Sequence, residues 1–385
     1  MIKENKSIII SGNNILTLDE FQGDDSVGSF LVGGSRVGCG LLEIEAPKFN
    51  PSETLFNDAV LIRILGFSCN YREKSLLQLL AQNAEMAYAI DPEELAFCGI
   101  GSDFVAEVIN KGDCVTEFEI GDLVIPDSTY PFRNSRNIPG GIPTNESSTR
   151  LQVLNQYTLI KIPESMDIAI ASGFSLAAQT ASAMIRKAEI TSEQKVLIAS
   201  GTSNTSMFLI SLLNKKCQLY VLTSSQKSAE EFRKIGIHNV SVIDHSWSSE
   251  SCRAKITSDF GKLTYDVIFD PFIDSNLNKL IHLTAMNGKY ITCGIFNQSL
   301  PSDRMVGIYG NEELIRIFST LIQRNVQLLG NCLGSKEDLI YALSMFVKGE
   351  MPITIDSVYQ GSQVQDFFNR TFNESNRFGK VVYIY

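Results

Sequence analysis

The residues whose types and spacing could do chemistry gather first in Lys195–Leu213, KVLIASGTSNTSMFLISLL. Apolar Val196–Ala199 predict a short buried strand, small polar Ser200–Ser206 a tight turn, and Met207–Leu213 a helix. Strand, small-residue turn and helix open a dinucleotide-binding βαβ unit, in which helix N–H groups and the positive end of the helix dipole meet a pyrophosphate. The three glycine positions of that fingerprint read Ser200, Ser203 and Ser206, with Gly201 displaced by one. A serine adds a Cβ at each close approach. The phosphates must then sit farther out, or the turn must differ. Asn204 and the hydroxyls of Ser203, Thr205 and Ser206 offer hydrogen bonds in partial compensation. The competing reading is an ordinary strand-to-helix turn of any α/β domain.

Cofactor choice follows from the next strand end, VLTSSQKSAE. An NAD site wants Asp or Glu there for the ribose 2′-OH. The residues present are Thr223, Ser224 and Ser225, then Lys227, with no carboxylate before Glu230. Hydroxyls and an ammonium suit a 2′-phosphate, so NADPH is expected. The alternative for Lys227 is a solvated first-turn residue. Ligands of open parallel sheets lie outside the carboxyl ends of the strands. That adds Asp270 in FDPF, Phe296 in GIF and Asn331 in NCL to the cofactor-lining set.

The elements that must position these groups fall into two regions. At 385 residues the chain is long enough for two full cores. Residues 1–50 predict short β-hairpins or loops. DAVLIRILGFS (58–68), DFVAEVI (103–109) and EIGDLVIP predict antiparallel strands with tight turns, and residues 127–150 a loop. A helix is expected over about 168–187. Apolar strands then alternate with amphipathic helices: strands 195–200, 218–223, 240–244, 265–270, 289–296 and 325–331, with helices 204–214, 228–236, 275–285, 311–324 and 336–348. This alternation implies a doubly wound parallel sheet. The strand FGKVVYIY closes the chain.

Composition excludes some classes. Hydrophobic content of 44% and charge of 20% are ordinary for a soluble globular protein. A net charge of −10, with no basic run, argues against nucleic acid or an anionic membrane as partner. No apolar stretch reaches the length of a membrane span, and the N-terminus does not read as a signal peptide. The eight cysteines are scattered singly, without metal spacing. That pattern suits a reducing cytoplasm.

In this order and spacing the segments resemble the medium-chain dehydrogenase/reductase superfamily, over about residues 55–385. The pieces include DAVLIRILGFSCNYRE, GSDFVAEVINKGDCVTEFEIGDLV, AAQTASAMI, the Ser200 loop, YDVIFDPF, NGKYITCGIF and RFGKVVYIY. The resemblance implies a GroES-like β-rich catalytic domain, residues 1–165 completed by 335–385. It implies a Rossmann NADP-binding domain at 166–334. Thr180 matches the threonine on the nicotinamide side, its alternative being a helix hydroxyl bonded to its own backbone.

Zinc-dependent members carry a catalytic Cys and a His in a GHE motif; here those positions read Asn70 and Ser102, with Asp103 for Glu. Neither Asn70 nor Ser102 is a ligand that zinc prefers. Cys69 is one residue off, and its apolar neighbours favour an inert thiol. No metal is expected. CNYRE looks instead like the segment of zinc-free quinone and enoyl reductases. Asn70 is then expected near nicotinamide and substrate, its alternative being a turn residue. Tyr71 is expected to donate a hydrogen bond or the proton, its alternative being a packed aromatic. Tyr88 is a further tyrosine candidate, and Arg72 with Glu73 reads as a structural ion pair.

The expected activity is NADPH-dependent, zinc-free hydride transfer to a C=C bond conjugated to a carbonyl. The bond would belong to an enone, a quinone, an enoyl thioester, or a dehydroamino acid in a peptide natural product. The alternative is a degenerate, non-catalytic member that binds a nucleotide or a protein partner. The resemblance also implies a homodimer, expected to pair through an edge strand near KYITCGIF.

Overall fold

The computed structural model describes residues 5–11, 24–90, 97–133, 138–298 and 310–385, without the side chains of residues 84, 85, 88 and 311. The Tyr88 side chain and part of the 127–150 loop therefore lie outside what is described. The chain divides into two compact units. One comprises Met1–Leu176, Ile355–Ser375 and Lys380–Tyr385; the other comprises Ala177–Thr354 and Asn376–Gly379.

The first unit opens with β1 (Lys6–Ser11), β2 (Val27–Val32) and β3 (Ser35–Glu43), an antiparallel sheet in the order β1-β3-β2. Gly33 and Gly34 join β2 to β3 with φ of 55° and 85°, a left-handed pair that suits a two-residue hairpin turn. β4 (Ala59–Ser68), β5 (Asp103–Lys111), β6 (Leu123–Pro126), β7 (Leu151–Asn155) and β8 (Leu159–Lys161) belong to a second sheet. β4 pairs antiparallel with both β5 and β7. Helix α1 (Glu73–Ile90) follows β4, and Gln78 Nε2 ties it to the β2 end by donating to Val32 O at 3.0 Å.

The expected single helix over 168–187 is two helices, α2 (Ile168–Ala171) and α3 (Ser175–Ala188). Gly173 lies at the break. A Cβ there would stand 2.7 Å from Cε of Lys380, so the break lets the chain pass close over that lysine.

The second unit holds β9 (Lys195–Ile198), β10 (Gln218–Thr223), β11 (Val240–Val242), β12 (Tyr265–Asp270), β13 (Thr284–Thr292) and β14 (Gln327–Gly330). They form a parallel sheet in the order β11-β10-β9-β12-β13-β14. Val196, Leu197 and Ile198 of central β9 are fully buried, as a strand covered on both faces requires. Helices α4 (Asn204–Leu213), α5 (Gln226–Lys234), α6 (Ser249–Phe260) and α7 (Ile273–Leu280) follow β9 to β12. Two corrections to the sequence reading arise here. The strand near KYITCGIF is not an edge: β13 lies between β12 and β14. Helix Lys336–Val347 belongs to this unit, so the return begins at Ile355 and not at 335. Arg186 on α3 clasps Asp338 of that helix through Nε and Nη2 at 2.8 and 2.9 Å, and Gln179 donates to Ser335 O at 3.0 Å.

The chain then re-enters the first unit as β15 (Ile355–Gln360), helix Val364–Phe372 and β16 (Lys380–Ile384). β16 pairs with β4, matching Tyr383 to Phe67. Phe30, Phe67, Phe104, Phe118, Phe367, Phe368 and Tyr383 form the buried aromatic part of this core.

Candidate functional site

The turn after β9 is built tightly. Ser200 takes the left-handed backbone position, φ 47°, a conformation that costs a non-glycine residue of order 1 kcal/mol or more. Gly201 serves a different need. Its N–H donates to Leu222 O at 2.7 Å, and a Cβ would meet Val221 Cγ1 at 2.5 Å and Leu222 O at 3.1 Å. The displaced glycine is therefore the one the close approach of β9 and β10 demands. Ser203 caps α4 by accepting from the Ser206 N–H. Ser206 is fully buried and donates its hydroxyl to Ala199 O at 2.9 Å. That hydroxyl bolts helix to strand, which a phosphate contact would prevent. Thr205 bonds the thiol of Cys293, a group that burial pushes up to about 12. Asn204 opens α4.

At the end of β10, Thr223 is buried and its hydroxyl has no partner. Ser224 is exposed. Ser225 caps α5, accepting from Ser228 N and donating to Ser228 Oγ at 2.7 Å. Lys227 stands exposed in the first turn of α5. Asp270 is fully buried at the end of β12. It accepts from Asn276 Nδ2 (2.7 Å), Phe272 N (2.9 Å) and Tyr290 OH (2.8 Å), and burial pushes its carboxyl above the ordinary aspartate range. Asn276 also reaches Ser200 Oγ at 3.3 Å, so Asp270 braces the turn. Phe296 stacks on His245 at 6.1 Å, and Thr180 is buried on α3.

Buried polar atoms without partners cost free energy unless a ligand or water meets them. Three of them are spread along the carboxyl edge of the parallel sheet: Thr223 Oγ1, Thr292 Oγ1 and Asn331 Oδ1. All lie at or just past the carboxyl ends of β10, β13 and β14. The Ser200 turn ends β9 on the same edge. Thr292 and Asn276 are missing from the sequence-derived set. The sequence signal for Thr292 is its place as the last strand residue beside Cys293 and Gly294.

The first unit holds a second constellation, sealed from solvent. Asn70, Glu73, Ser102, Asp103, Ser175 and Lys380 are all buried. Lys380 Nζ donates to Asn70 Oδ1 at 2.9 Å and to Asp103 Oδ2 at 3.0 Å. Asn70 Nδ2 donates to Asp103 Oδ2 at 2.8 Å and Ser102 Oγ at 3.1 Å. Ser102 donates to Glu73 Oε1 at 2.7 Å, and the Asn70 N–H donates to Glu73 Oε2. The other Asp103 oxygen accepts from Ser175 Oγ and Leu176 N, both at 2.7 Å, so it caps the start of α3. Arg72 carries the chain outward, donating from Nη1 to Glu73 Oε1 at 2.7 Å.

Two carboxylates thus face two cations. Burial opposes charge on Asp103. The Lys380 ammonium, Leu176 N–H, Ser175 hydroxyl and Asn70 amide outweigh it and hold the carboxyl below its ordinary range. Burial dominates at Glu73 and pushes its carboxyl up, against the pull of Arg72, Ser102 and Asn70. Burial also drives the Cys69 thiol well above its ordinary value, so this cysteine is a poor nucleophile or ligand. Among the described residues no three His, Cys, Asp or Glu groups are placed to hold a metal ion.

Asn70 and Tyr71 part company here. Asn70 is committed through both ends of its amide. Tyr71 is half-buried, with Lys74 Nζ donating to its hydroxyl at 3.4 Å and standing 5.4 Å from its ring centre. The sequence reading missed Lys380 altogether. Its signal was a lone cation opening the apolar strand KVVYI.

No family model and no curated protein matches the chain. Solved structures do match in shape. An NAD-dependent alcohol dehydrogenase superposes with a TM-score of 0.68 at 18% identity, covering 90% of this chain and 96% of that one. The CurF ER cyclopropanase from the curacin A biosynthetic pathway gives 0.65 at 18% identity, over 90% and 95%. A variant of the crotonyl-CoA carboxylase/reductase AntE in complex with NADP gives 0.71 at 15% identity, over 98% and 94%. At these identities the likeness shows the fold: a GroES-like unit joined to a Rossmann unit.

Proposed function

We propose that this chain, folded as the medium-chain dehydrogenases and reductases are, is a nicotinamide-dinucleotide oxidoreductase. It delivers hydride to a C=C bond conjugated to a carbonyl and does so without a metal. The observation that carries this reading is the Lys380 ammonium held between Asn70 and Asp103. The resemblance puts metal ligands at positions 70 and 102. Here Asn70 and Ser102 bond each other, and a fixed positive charge beside them opposes any further cation. A conjugated double bond needs only a hydride, a donor for the carbonyl oxygen and a proton.

The residues present fit a dinucleotide. The first turn of α4 would take the pyrophosphate, with Gly201 holding the turn against β10. The partnerless oxygens of Thr223, Thr292 and Asn331 would find partners along the same edge. Thr223 and Lys227 favour a 2′-phosphate, hence NADPH over NADH. When bound, the reduced dinucleotide supplies the hydride. Tyr71 is the proposed proton donor to the α-carbon, with Lys74 steadying the phenolate left behind. Asn70 acts by position, holding the turn that presents Tyr71.

Fluorescence titration of NADPH, followed by NADPH consumption across enones, quinones, enoyl thioesters and dehydroamino acids, tests the reading. Binding with turnover on one class supports it. Absence of binding sinks it and favours the second reading, a non-catalytic member. The motive for that second reading is specific: Ser206 and Ser225 spend their hydroxyls on the protein itself.

We also propose a homodimer through the β14 edge, where Leu328 and the neighbouring helix residues Ile315, Phe318 and Ile322 are exposed. Light scattering after gel filtration reads the mass. All eight cysteines are free, and no described helix is long and apolar enough to cross a membrane. The cytoplasm is the proposed location.

A further inference from the structure

Arg72 stands where the buried constellation reaches the surface. Its side chain is 34% exposed, whereas that of Glu73, its anchor, is 0% exposed. The anchoring uses one nitrogen: Nη1 donates to Glu73 Oε1 at 2.7 Å and to Asn145 Oδ1 at 2.9 Å. Among the described residues Nε and Nη2 have no acceptor. A guanidinium is a planar fork of five donors, so most of this one is unspent.

Its aim is fixed from behind. Glu73 cannot swing, because Ser102 Oγ and the Asn70 N–H hold its two oxygens. Those residues are held in turn by Asp103 and Lys380. Most exposed arginines on protein surfaces pivot freely and gain little from their ion pairs. This one is set by a chain of bonds that starts inside the core.

Resting on the reductase reading, we propose that Arg72 is a catalytic residue whose free N–H edge receives the carbonyl oxygen of the substrate. As hydride reaches the β-carbon, the π pair of the double bond moves toward the carbonyl and leaves negative charge on that oxygen. Arg72 keeps all its protons and stabilises the enolate through hydrogen bonds. The α-carbon then takes a proton, and the carbonyl reforms. Placed next to Tyr71, Arg72 supplies the positive charge that a metal would otherwise bring.

The test uses the full-length protein and two variants, Arg72→Lys and Arg72→Gln. Arg72→Lys keeps a cation beside buried Glu73 and serves as the folded form; thermal melting checks both. For Arg72→Lys, kcat on the best substrate should fall about a hundredfold, the size seen for loss of one oxyanion donor, while the NADPH KM stays within about twofold. Calorimetry with acetylacetonate in alkaline buffer, where it is present as an enolate anion, gives a readout independent of turnover. It should bind the unmodified protein about tenfold more tightly than Arg72→Gln. Equal acetylacetonate affinity, or wild-type kcat in Arg72→Lys, overturns the role of Arg72 and leaves the reductase reading standing. If the unmodified protein consumes no NADPH with any substrate class, the reductase reading falls and takes this role with it.

Discussion

Lys380 Nζ lies 3.0 Å from Asp103 Oδ2, with the two side chains 2% and 0% exposed. A buried pair of this kind adds little over a well-packed apolar pair, but half of it alone is costly. Lys380→Met should therefore destabilise by about 3–5 kcal/mol in denaturant unfolding. The double variant Lys380→Met with Asp103→Leu should recover part of that loss. Equal loss in both would mean that the amide and hydroxyl network matters more than the charges.

Acid stability follows from the same carboxylate. Asp103 is held below the ordinary aspartate value of 3.8. A group with a depressed folded pKa stabilises above its unfolded value, and that stabilisation disappears as pH falls through the folded one. The Asp103 contribution is thus complete at neutral pH and is lost below about pH 3.8. Asp270 works in the opposite sense: burial raises its carboxyl, so acidification from neutral relieves a penalty. Unfolding curves should show a shallower acid decline in Asp103→Asn than in the unmodified protein at the lowest pH values.

Lys227 is tested by charge reversal. Lys227→Glu should raise the NADPH KM about tenfold, one charged contact's worth, and leave the NADH KM nearly unchanged. Unaltered NADPH kinetics would return Lys227 to the solvent.

Ser206 and Gly201 separate scaffold from phosphate contact. Ser206→Ala loses the bond to Ala199 O and should cost about 1 kcal/mol of stability. Its NADPH dissociation constant should stay within about twofold, whereas a direct phosphate contact would weaken binding further. Gly201→Ala pushes a methyl to 2.5 Å from Val221 Cγ1. It should lose about 1–3 kcal/mol and bind NADPH more weakly, because the whole turn must shift.

Much of the fold was legible because its signals are local. The apolar run Val196–Ala199, the small-residue turn and the alternation of strands and helices each state their own structure. Position within the sheet was not legible, which is why KYITCGIF was misplaced at an edge: strand order depends on pairings between distant segments. The boundary at 335 failed for the same reason, since Arg186 and Asp338 meet across 152 positions. The site divided likewise. The resemblance pointed to Asn70, Ser102 and Asp103 one by one, as positions where zinc-dependent members carry Cys, His and Glu. Their closure around Lys380 needed a partner 277 positions from Asp103, and no spacing rule reaches that far. The direction of the Ser206 hydroxyl, toward Ala199 O, was not legible because packing sets it.

The return of the chain to its first unit has a consequence during synthesis. Asp103 leaves the ribosome early, and the countercharge it is buried with emerges only at residue 380. Until then β4 lacks β16 on one flank, and an anion destined for the interior has nothing to neutralise it. The core of the first unit stays incomplete until Val364, Phe367, Phe368, Val381 and Tyr383 have been made. A message cut short before Lys380 would yield a chain unable to close over its own carboxylate, and cellular proteases would find it.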